Sequence, residues 1–187
     1  MRTGSCRILD VGGTEYYWNI ARSFLTDAPV QIHILNLQPA SVTGPQFVSM
    51  TGDATELGCL EDNSFDFVHS NSVIEHVGDF KRMFKMANHI RRLAPVYYVQ
   101  TPYFWFPYEP HFRTPLFHWF PEQIRYRLLM NFNLGFFERK ESVETAMTAV
   151  QSCSMLDRRQ LRDLFPDSHI ISERFFGLTK SLMAIRG

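Results

Sequence analysis

The stretch that most constrains the fold of this chain is ILDVGGTEYY, residues 8–17. Its apolar residues end at Gly12 and Gly13 and a helix-compatible segment follows, which predicts a strand, a tight turn and a helix. Adjacent glycines allow positive φ and let a ligand lie against bare main chain. The following helix start presents unpaired N–H groups that favour an anion. A purely structural turn is the competing interpretation.

Strand and helix patterns alternate through the first hundred residues, which is typical of a parallel sheet. Strands are predicted over residues 7–11, 30–37, 47–50, 65–70 and 96–100, and helices over residues 16–25 and 80–93. Asp10, Asn36, Asp53 and Asn71 lie near the carboxyl ends of predicted strands or just after them. Because open parallel sheets bind ligands outside those ends, we expect these four side chains to converge on one crevice.

The remainder of the chain is predicted to be organised differently. A loop rich in aromatic residues and proline precedes Pro121, which opens a helix. A second helix over residues 158–165 follows Asp157, and Gln160 completes a capping box. Two β-like runs then flank Gly177 so closely that an antiparallel hairpin of residues 170–176 and 178–185 is expected.

Composition narrows the class of protein. Basic and acidic residues balance at 19 each, so no long-range field attracts a polyanion and nucleic-acid binding is disfavoured. The three cysteines show no metal-ligand spacing, which predicts a reducing compartment. No apolar run reaches about 18 residues and no signal-peptide pattern begins the chain, so we expect no transmembrane segment and a cytoplasmic location. The length of 187 residues fits one domain, residues 1–187.

At four places the chain resembles the class I S-adenosylmethionine-dependent methyltransferases. They are ILDVGGTEYY, Asn36 closing VQIHILN, Asp53 in TGDAT, and the run FDFVHSNSVIEHVGDF over residues 65–80. The tail motifs TPYFWFPYEPHFRTPLFHWFP, LRDLFPD and GLTKSLMAIR are similar to a bacterial small-molecule subgroup, methyltransferase type 11 like, often associated with sugar or secondary-metabolite pathways. The dinucleotide fingerprint needs glycines at the first, third and sixth places of the turn. Gly12 fills the first place, but Thr14 and Tyr17 occupy the third and the sixth. This spacing argues against NAD.

The resemblance implies an α/β fold, Rossmann-like and doubly wound. Its seven-stranded, mostly parallel sheet would have the order 3-2-1-4-5-7-6 and end in the C-terminal antiparallel hairpin. The cofactor would be S-adenosylmethionine, held by residues 1–100, while residues 101–187 would bind the acceptor. The implied cofactor-binding residues are Asp10, Gly12, Gly13, Asn36, Leu37, Asp53, Ala54, Asn71 and Ser72.

Within this site the turn would face the methionine part, Asn36 the ribose, and Asp53 with Ala54 the adenine. Two positions depart from the family pattern. Thr14 stands where a further glycine is usual, and Asn36 replaces the acid that usually binds the ribose. An amide can accept from one hydroxyl and donate to the other, and restoring the acid is expected to tighten the cofactor by about 1 kcal/mol. The chain begins almost at its first strand, so the site is expected to be open or closed by a partner.

Methyl transfer to a hydroxyl needs a nucleophile held in line and a group that takes its proton. Histidine is the natural base, and His76 and His111 are the candidates. Each histidine also has a purely structural interpretation. His76 could be a helix-start residue packed with Glu75, and His111 could be a loop residue hydrogen-bonded to backbone. Glu75 and His76 resemble a metal-binding pair in some relatives, but without a third ligand no metal is predicted.

The loop after the fifth strand contains an aromatic cluster that is expected to wall a pocket for the acceptor. Its members are Tyr103, Phe104, Trp105, Phe106, Tyr108, Phe112, Phe117, Trp119 and Phe120. The alternatives are core beneath the sheet edge and a protein or membrane-surface contact.

The predicted function is methyl transfer to a small-molecule acceptor such as a glycan, sugar or metabolite. The methylated atom is expected to be an oxygen, with nitrogen as the second choice, and a homodimer is a further expectation. A non-catalytic interaction module and a nicotinamide oxidoreductase are the alternatives.

Overall fold

The computed structural model describes residues 5–21 and 29–187, and its framework is a seven-stranded sheet. The strands are β1 (Cys6–Val11), β2 (Val30–Asn36), β3 (Phe47–Thr51), β4 (Phe67–Asn71), β5 (Val96–Pro102), β8 (His169–Phe175) and β9 (Leu178–Arg186). Their order is β3-β2-β1-β4-β5-β9-β8, with β1 to β5 parallel and β9 antiparallel to both neighbours. This confirms the predicted sheet order and closing hairpin. The short strands β6 (Tyr108–Glu109) and β7 (Thr114–Pro115) form a separate ribbon in the loop after β5.

Five helices accompany the sheet in the described residues. They are α1 (Glu15–Ala21), α2 (Phe80–Leu93), α3 (Glu122–Asn131), α4 (Val143–Gln151) and α5 (Arg158–Leu164). The predicted helix over residues 16–25 extends beyond Ala21 into residues outside the described part. The predicted capping box of Asp157 and Gln160 is present, whereas α4 was not predicted. None of the described helices is long and apolar enough to cross a membrane.

Helices pack on both faces of the sheet, as a doubly wound fold requires. On one face, Trp18 of α1 packs with Ile8, Ile32 and Ile34 of β1 and β2. On the other, buried residues of α2 and α5 pack against the alternate side chains of β1, β4, β5 and β9. Because successive side chains of a strand point to opposite faces, the apolar runs of these central strands supply both cores.

The loop after β5 joins α3 and α4 in a second hydrophobic cluster. Phe112 and Phe117 are buried there with Leu129 of α3 and Ala146 and Val150 of α4. The rings of Phe112 and Phe117 lie 4.3 Å apart, centroid to centroid. Part of the aromatic loop is therefore core, but with α3 and α4 and not beneath the sheet edge, the alternative considered from the sequence.

Candidate active site

A cavity of about 530 Å³ lies at the carboxyl ends of β1, β2 and β3, and we call it the strand-end cavity. Five residues predicted to bind a cofactor line it: Gly12, Asn36, Leu37, Asp53 and Ala54. The turn after β4 and helix α2 add Val73, His76, Val77 and Arg82 to the wall, and the segment after β2 adds Gln38, Pro39 and Ala40. Of the four side chains expected to converge, Asn36 and Asp53 line this cavity, whereas Asp10 and Asn71 do not.

The glycine turn after β1 is closely surrounded, which explains both glycines. Gly12 has φ +74°, and a Cβ there would lie 2.3 Å from Val73 Cγ2. A Cβ on Gly13 would lie 1.5 Å from Asp10 Oδ2. Neither position tolerates a side chain unless Val73 or Asp10 shifts or the turn moves, so bare backbone lies beside the cavity.

Asp10 lies beneath this turn and does not line the cavity. Its side chain is buried, with the residue only 1% exposed. Oδ2 accepts a hydrogen bond from Trp18 Nε1 at 2.6 Å, and Oδ1 lies 2.7 Å from His69 Nδ1. The carboxylate therefore ties α1 and β4 to β1 and supports the turn from below, so that its predicted contact with a cofactor is replaced by a positioning role.

Asn36 links the end of β2 to the same turn. Its Nδ2 donates to the Gly13 carbonyl oxygen at 2.9 Å. Within the described residues its Oδ1 accepts no hydrogen bond, so this oxygen can accept from a ligand hydroxyl. The amide can thus both donate to the Gly13 carbonyl and accept from a ligand hydroxyl. A carboxylate, usual in the family, could only accept.

Replacing Asn36 with aspartate should weaken cofactor binding, the reverse of the expectation from sequence alone. The carboxylate cannot donate to Gly13 and would oppose its carbonyl oxygen. We expect S-adenosylmethionine affinity to fall about tenfold, or about 1.4 kcal/mol, in isothermal titration calorimetry. Asn88→Asp, at an exposed position of α2, is the control and should leave affinity unchanged. Tighter binding by Asn36→Asp would show that the link to Gly13 is dispensable.

Asp53, after β3, is held in an ionised state on the wall of the strand-end cavity. Its Oδ1 accepts from the Thr55 backbone N–H and hydroxyl, each at 2.8 Å, and its Oδ2 pairs with Arg82 Nη2 at 2.6 Å. Partial burial raises the pKa of Asp53, but these hydrogen bonds together outweigh it and keep the pKa below its usual value. The carboxylate is thus an oriented, charged acceptor at the cavity edge.

Asn71 and Ser72 line a different cavity, of about 570 Å³, which we call the aromatic cavity. Ser72 has a left-handed backbone, φ +56°, that is uncommon for a residue with a side chain. Its N–H donates to the Gln100 carbonyl at 3.0 Å and its hydroxyl to Gln100 Oε1 at 2.9 Å. These bonds fix the turn after β4, whose next residue, Val73, lines the strand-end cavity.

The aromatic cavity combines ring faces with polar groups. Tyr98, Tyr103, Phe106 and Tyr108 supply the rings, and Asn71, Ser72, Gln100, Glu173, Lys180 and Ser181 the polar groups. Glu173 accepts from Ser181 Oγ at 2.5 Å and pairs with Lys180 Nζ at 3.1 Å. The bond from Ser181 lowers the pKa of Glu173, burial opposes it, and Lys180 lowers it further. The two charges of this wall are therefore paired with each other.

His76 and His111 meet at the edge of the strand-end cavity. Their ring centroids lie 4.7 Å apart, and His76 lines the cavity. His111 Nδ1 lies 2.7 Å from Oε1 of the buried Glu109, and this hydrogen bond raises the pKa of His111 against the opposing effect of burial. Burial raises the pKa of the nearby Cys153 thiol, with Glu75 and Glu109 adding to the effect. The loop after β5 therefore brings an oriented histidine to the turn after β4.

Residues 9–93 match the protein family described as Methyltransferase domain. No curated protein matches the chain. Over these residues, and in its fold, the chain is similar to the S-adenosylmethionine-dependent methyltransferases. The family match covers slightly less than half of the 187 residues, and the subgroup predicted from the tail motifs stays a prediction.

Three solved structures show the same fold. A methyltransferase from Haloferax volcanii, solved in complex with a methyltransferase activator, has a TM-score of 0.55 and 12% identity over 100% of this chain and 84% of its own. A SAM-dependent methyltransferase from Methanosarcina mazei has a TM-score of 0.55 and 13% identity over 97% and 91%. One from Aquifex aeolicus has a TM-score of 0.50 and 10% identity over 97% and 81%. At these identities the comparison supports the fold alone.

Several residues of this candidate site were missed from the sequence. Arg82, on α2, was assigned no role from the sequence, although it pairs with Asp53. Glu109 and Cys153 were not assigned a role, although both lie beside His111. The EPH tripeptide of residues 109–111 was the available signal for Glu109, whereas Cys153 carries no local motif.

Proposed function

We propose that this chain transfers the methyl group of S-adenosylmethionine to a small-molecule acceptor, with a sugar or metabolite oxygen as first choice and nitrogen next. The observation that carries the proposal is that two cavities share one turn. Ser72 lines the aromatic cavity and Val73 the strand-end cavity. A donor in one and an acceptor in the other would lie on either side of residues 71–73.

The strand-end cavity suits the cofactor. Its volume of about 530 Å³ falls within the usual range of ligand pockets, and the bare Gly12–Gly13 turn offers the close backbone approach that a Cβ would block. We assign the turn to the methionine part, Asn36 Oδ1 to a ribose hydroxyl, and Asp53 with Ala54 to the adenine edge. When bound, the cofactor supplies a methyl group already activated on a sulfonium.

The aromatic cavity suits a neutral, polyhydroxylated acceptor. Ring faces of Tyr103 and Phe106 can pack on the apolar faces of such a molecule, and the amides of Asn71 and Gln100 can bind its hydroxyls. Because Glu173 and Lys180 are paired with each other, this wall offers no single uncompensated charge for an ionic acceptor. A sugar or similar metabolite therefore fits better than a phosphate or an amine.

We assign the handling of the acceptor's proton to the His111–Glu109 pair, with His76 beside it. Glu109 is 2% exposed and orients the His111 ring through Nδ1. With Nδ1–H donated to the carboxylate, Nε2 keeps the lone pair. This arrangement gives the site a group that is fixed in direction and whose pKa the hydrogen bond to Glu109 raises.

Thermal unfolding with added ligand tests the cofactor assignment. S-Adenosylmethionine or S-adenosylhomocysteine at about 100 times its Kd should stabilise the fold by roughly 2.7 kcal/mol, whereas NAD should leave the melting temperature unchanged. Stabilisation by NAD alone would overturn the methyltransferase assignment in favour of an oxidoreductase. Binding of S-adenosylmethionine without turnover on a broad panel of sugars and metabolites would favour the non-catalytic interaction module. A homodimer stays a prediction.

A further inference from the structure

We propose that His76, His111 and Cys153 bind a divalent cation of the zinc class. Each residue offers one ligand atom, and these atoms all lie within 4.8 Å of one another. Two imidazoles and one thiolate form a borderline-soft donor set that zinc prefers over magnesium or calcium. Around a tetrahedral zinc ion such ligand atoms lie about 3.5 Å apart, so modest side-chain rotations would close the site.

The three candidate ligands come from separate parts of the chain. His76 follows β4, His111 lies in the loop after β6, and Cys153 follows α4. The Cys153 sulfur lies 3.4 Å from His111 Nδ1 although the two residues are 42 positions apart. This long separation explains why the cysteine spacing alone predicted no metal site.

Both histidines are fixed in orientation by a hydrogen bond through Nδ1. His76 Nδ1 lies 2.9 Å from the Ser152 carbonyl oxygen, which can only accept, so Nδ1 carries the proton and Nε2 the lone pair. His111 is oriented by Glu109, whose other oxygen accepts from the Phe112 N–H. A carbonyl behind the imidazole, as for His76, is the usual outer support of a metal-binding histidine. His111 Nδ1 faces both Glu109 and Cys153, so with Glu109 as its support His111 would bind the cation through Nε2, after a rotation that brings Nε2 toward Cys153.

A buried carboxyl oxygen without a partner among the residues described lies close to the cluster, which fits a cation there. Glu75, the residue before His76, is 1% exposed. Its Oε2 accepts from Thr101 Oγ1 at 3.0 Å, while Oε1 is buried without a hydrogen-bond partner in the described residues. Glu109, also buried, brings a second carboxylate to His111. Buried carboxylates are stabilised by pairing or by a metal ion.

A cation at this place would also have a role in the proposed methyl transfer. This role rests on the proposed function, whereas cation binding itself does not. Three protein ligands leave a fourth position for water or for an acceptor hydroxyl, and bound zinc lowers the pKa of such a group. The hydroxyl proton would pass to solvent, the oxygen would form a bond to the methyl carbon, and the carbon–sulfur electron pair would return to sulfur. His111 would then act as a ligand and not as the free base.

Cobalt titration of the metal-free full-length protein tests the site without S-adenosylmethionine or acceptor. We expect one Co²⁺ per chain, a near-ultraviolet sulfur-to-cobalt absorption band, and displacement by one Zn²⁺. Cys153→Ser should abolish the band and weaken Zn²⁺ at least about 100-fold, and Glu109→Gln should weaken it about 10- to 100-fold. Cys59→Ser, at an exposed cysteine, is the matched control and should leave both unchanged.

A titration without a saturable band, or a band lost with Cys59→Ser and kept with Cys153→Ser, would overturn the proposal. Circular dichroism checks the fold of each variant, and His76→Gln, at an exposed position, provides a second ligand change should Cys153→Ser fail to fold. S-Adenosylmethionine binding is measured on the same samples. If the protein binds S-adenosylmethionine but not Zn²⁺, the cation site is rejected and the methyltransferase proposal stands. If it binds Zn²⁺ but not S-adenosylmethionine, the methyltransferase proposal is rejected and the cation site stands.

Discussion

His111→Ala is expected to lower methyl transfer at least about 100-fold while leaving S-adenosylmethionine affinity within about twofold. His111 lies in the loop after β6 and is oriented by Glu109, and it does not line the strand-end cavity. The change therefore removes the group that we assign to the acceptor's proton, or to a cation that activates it, without touching the residues assigned to the cofactor.

Two measurements check this separation: transfer of radiolabelled methyl from S-adenosylmethionine to the best acceptor of a sugar and metabolite panel, and calorimetric titration of the cofactor. His169→Ala, at an exposed position in β8, serves as the control and should retain activity. If His111→Ala abolishes cofactor binding instead, the loop forms part of the cofactor site and the assignment of the two cavities is wrong.

Gly13→Ala is expected to abolish detectable S-adenosylmethionine binding and to lower the free energy of unfolding by about 3 kcal/mol or more. The new Cβ would lie 1.5 Å from Asp10 Oδ2. Asp10 is held by Trp18 and His69, so relief requires either breaking a buried hydrogen-bond network or moving the turn. Movement of the turn would also break the hydrogen bond from Asn36 to Gly13.

Chemical denaturation and calorimetry on the same variant measure both effects. Gly58→Ala is the matched control, because a Cβ there meets nothing within 4 Å. It should change stability by no more than about 0.5 kcal/mol. A stable Gly13→Ala variant with native cofactor affinity would show that Asp10 can move aside and that the turn does not depend on its support.

The parallel strand–helix pattern and the strand-end cavity could be predicted because their signals are local, whereas the sheet order was implied by the family resemblance. Alternation of apolar strands with amphipathic helices, and the glycine turn after β1, are read within ten to twenty residues. The hairpin followed from the short link around Gly177. Helix α4 was missed because Val143 and the threonines of its sequence, VETAMTAV, are weak helix formers, so its stability comes from packing on α3 and Phe112.

The sequence by itself therefore determined the alternation of strands and helices and the residues at the strand ends, since hydrophobic periodicity and turn chemistry depend on neighbours along the chain. The order of the strands was implied by the family resemblance. Only the tertiary structure decided that Asp10 lies beneath the turn, that Asn36 donates to Gly13, and that Ser72 lines a second cavity. Only it brought Cys153 to His111. The physical reason is that hydrogen-bond partners and cavity walls are set by packing between distant segments, which periodicity does not encode.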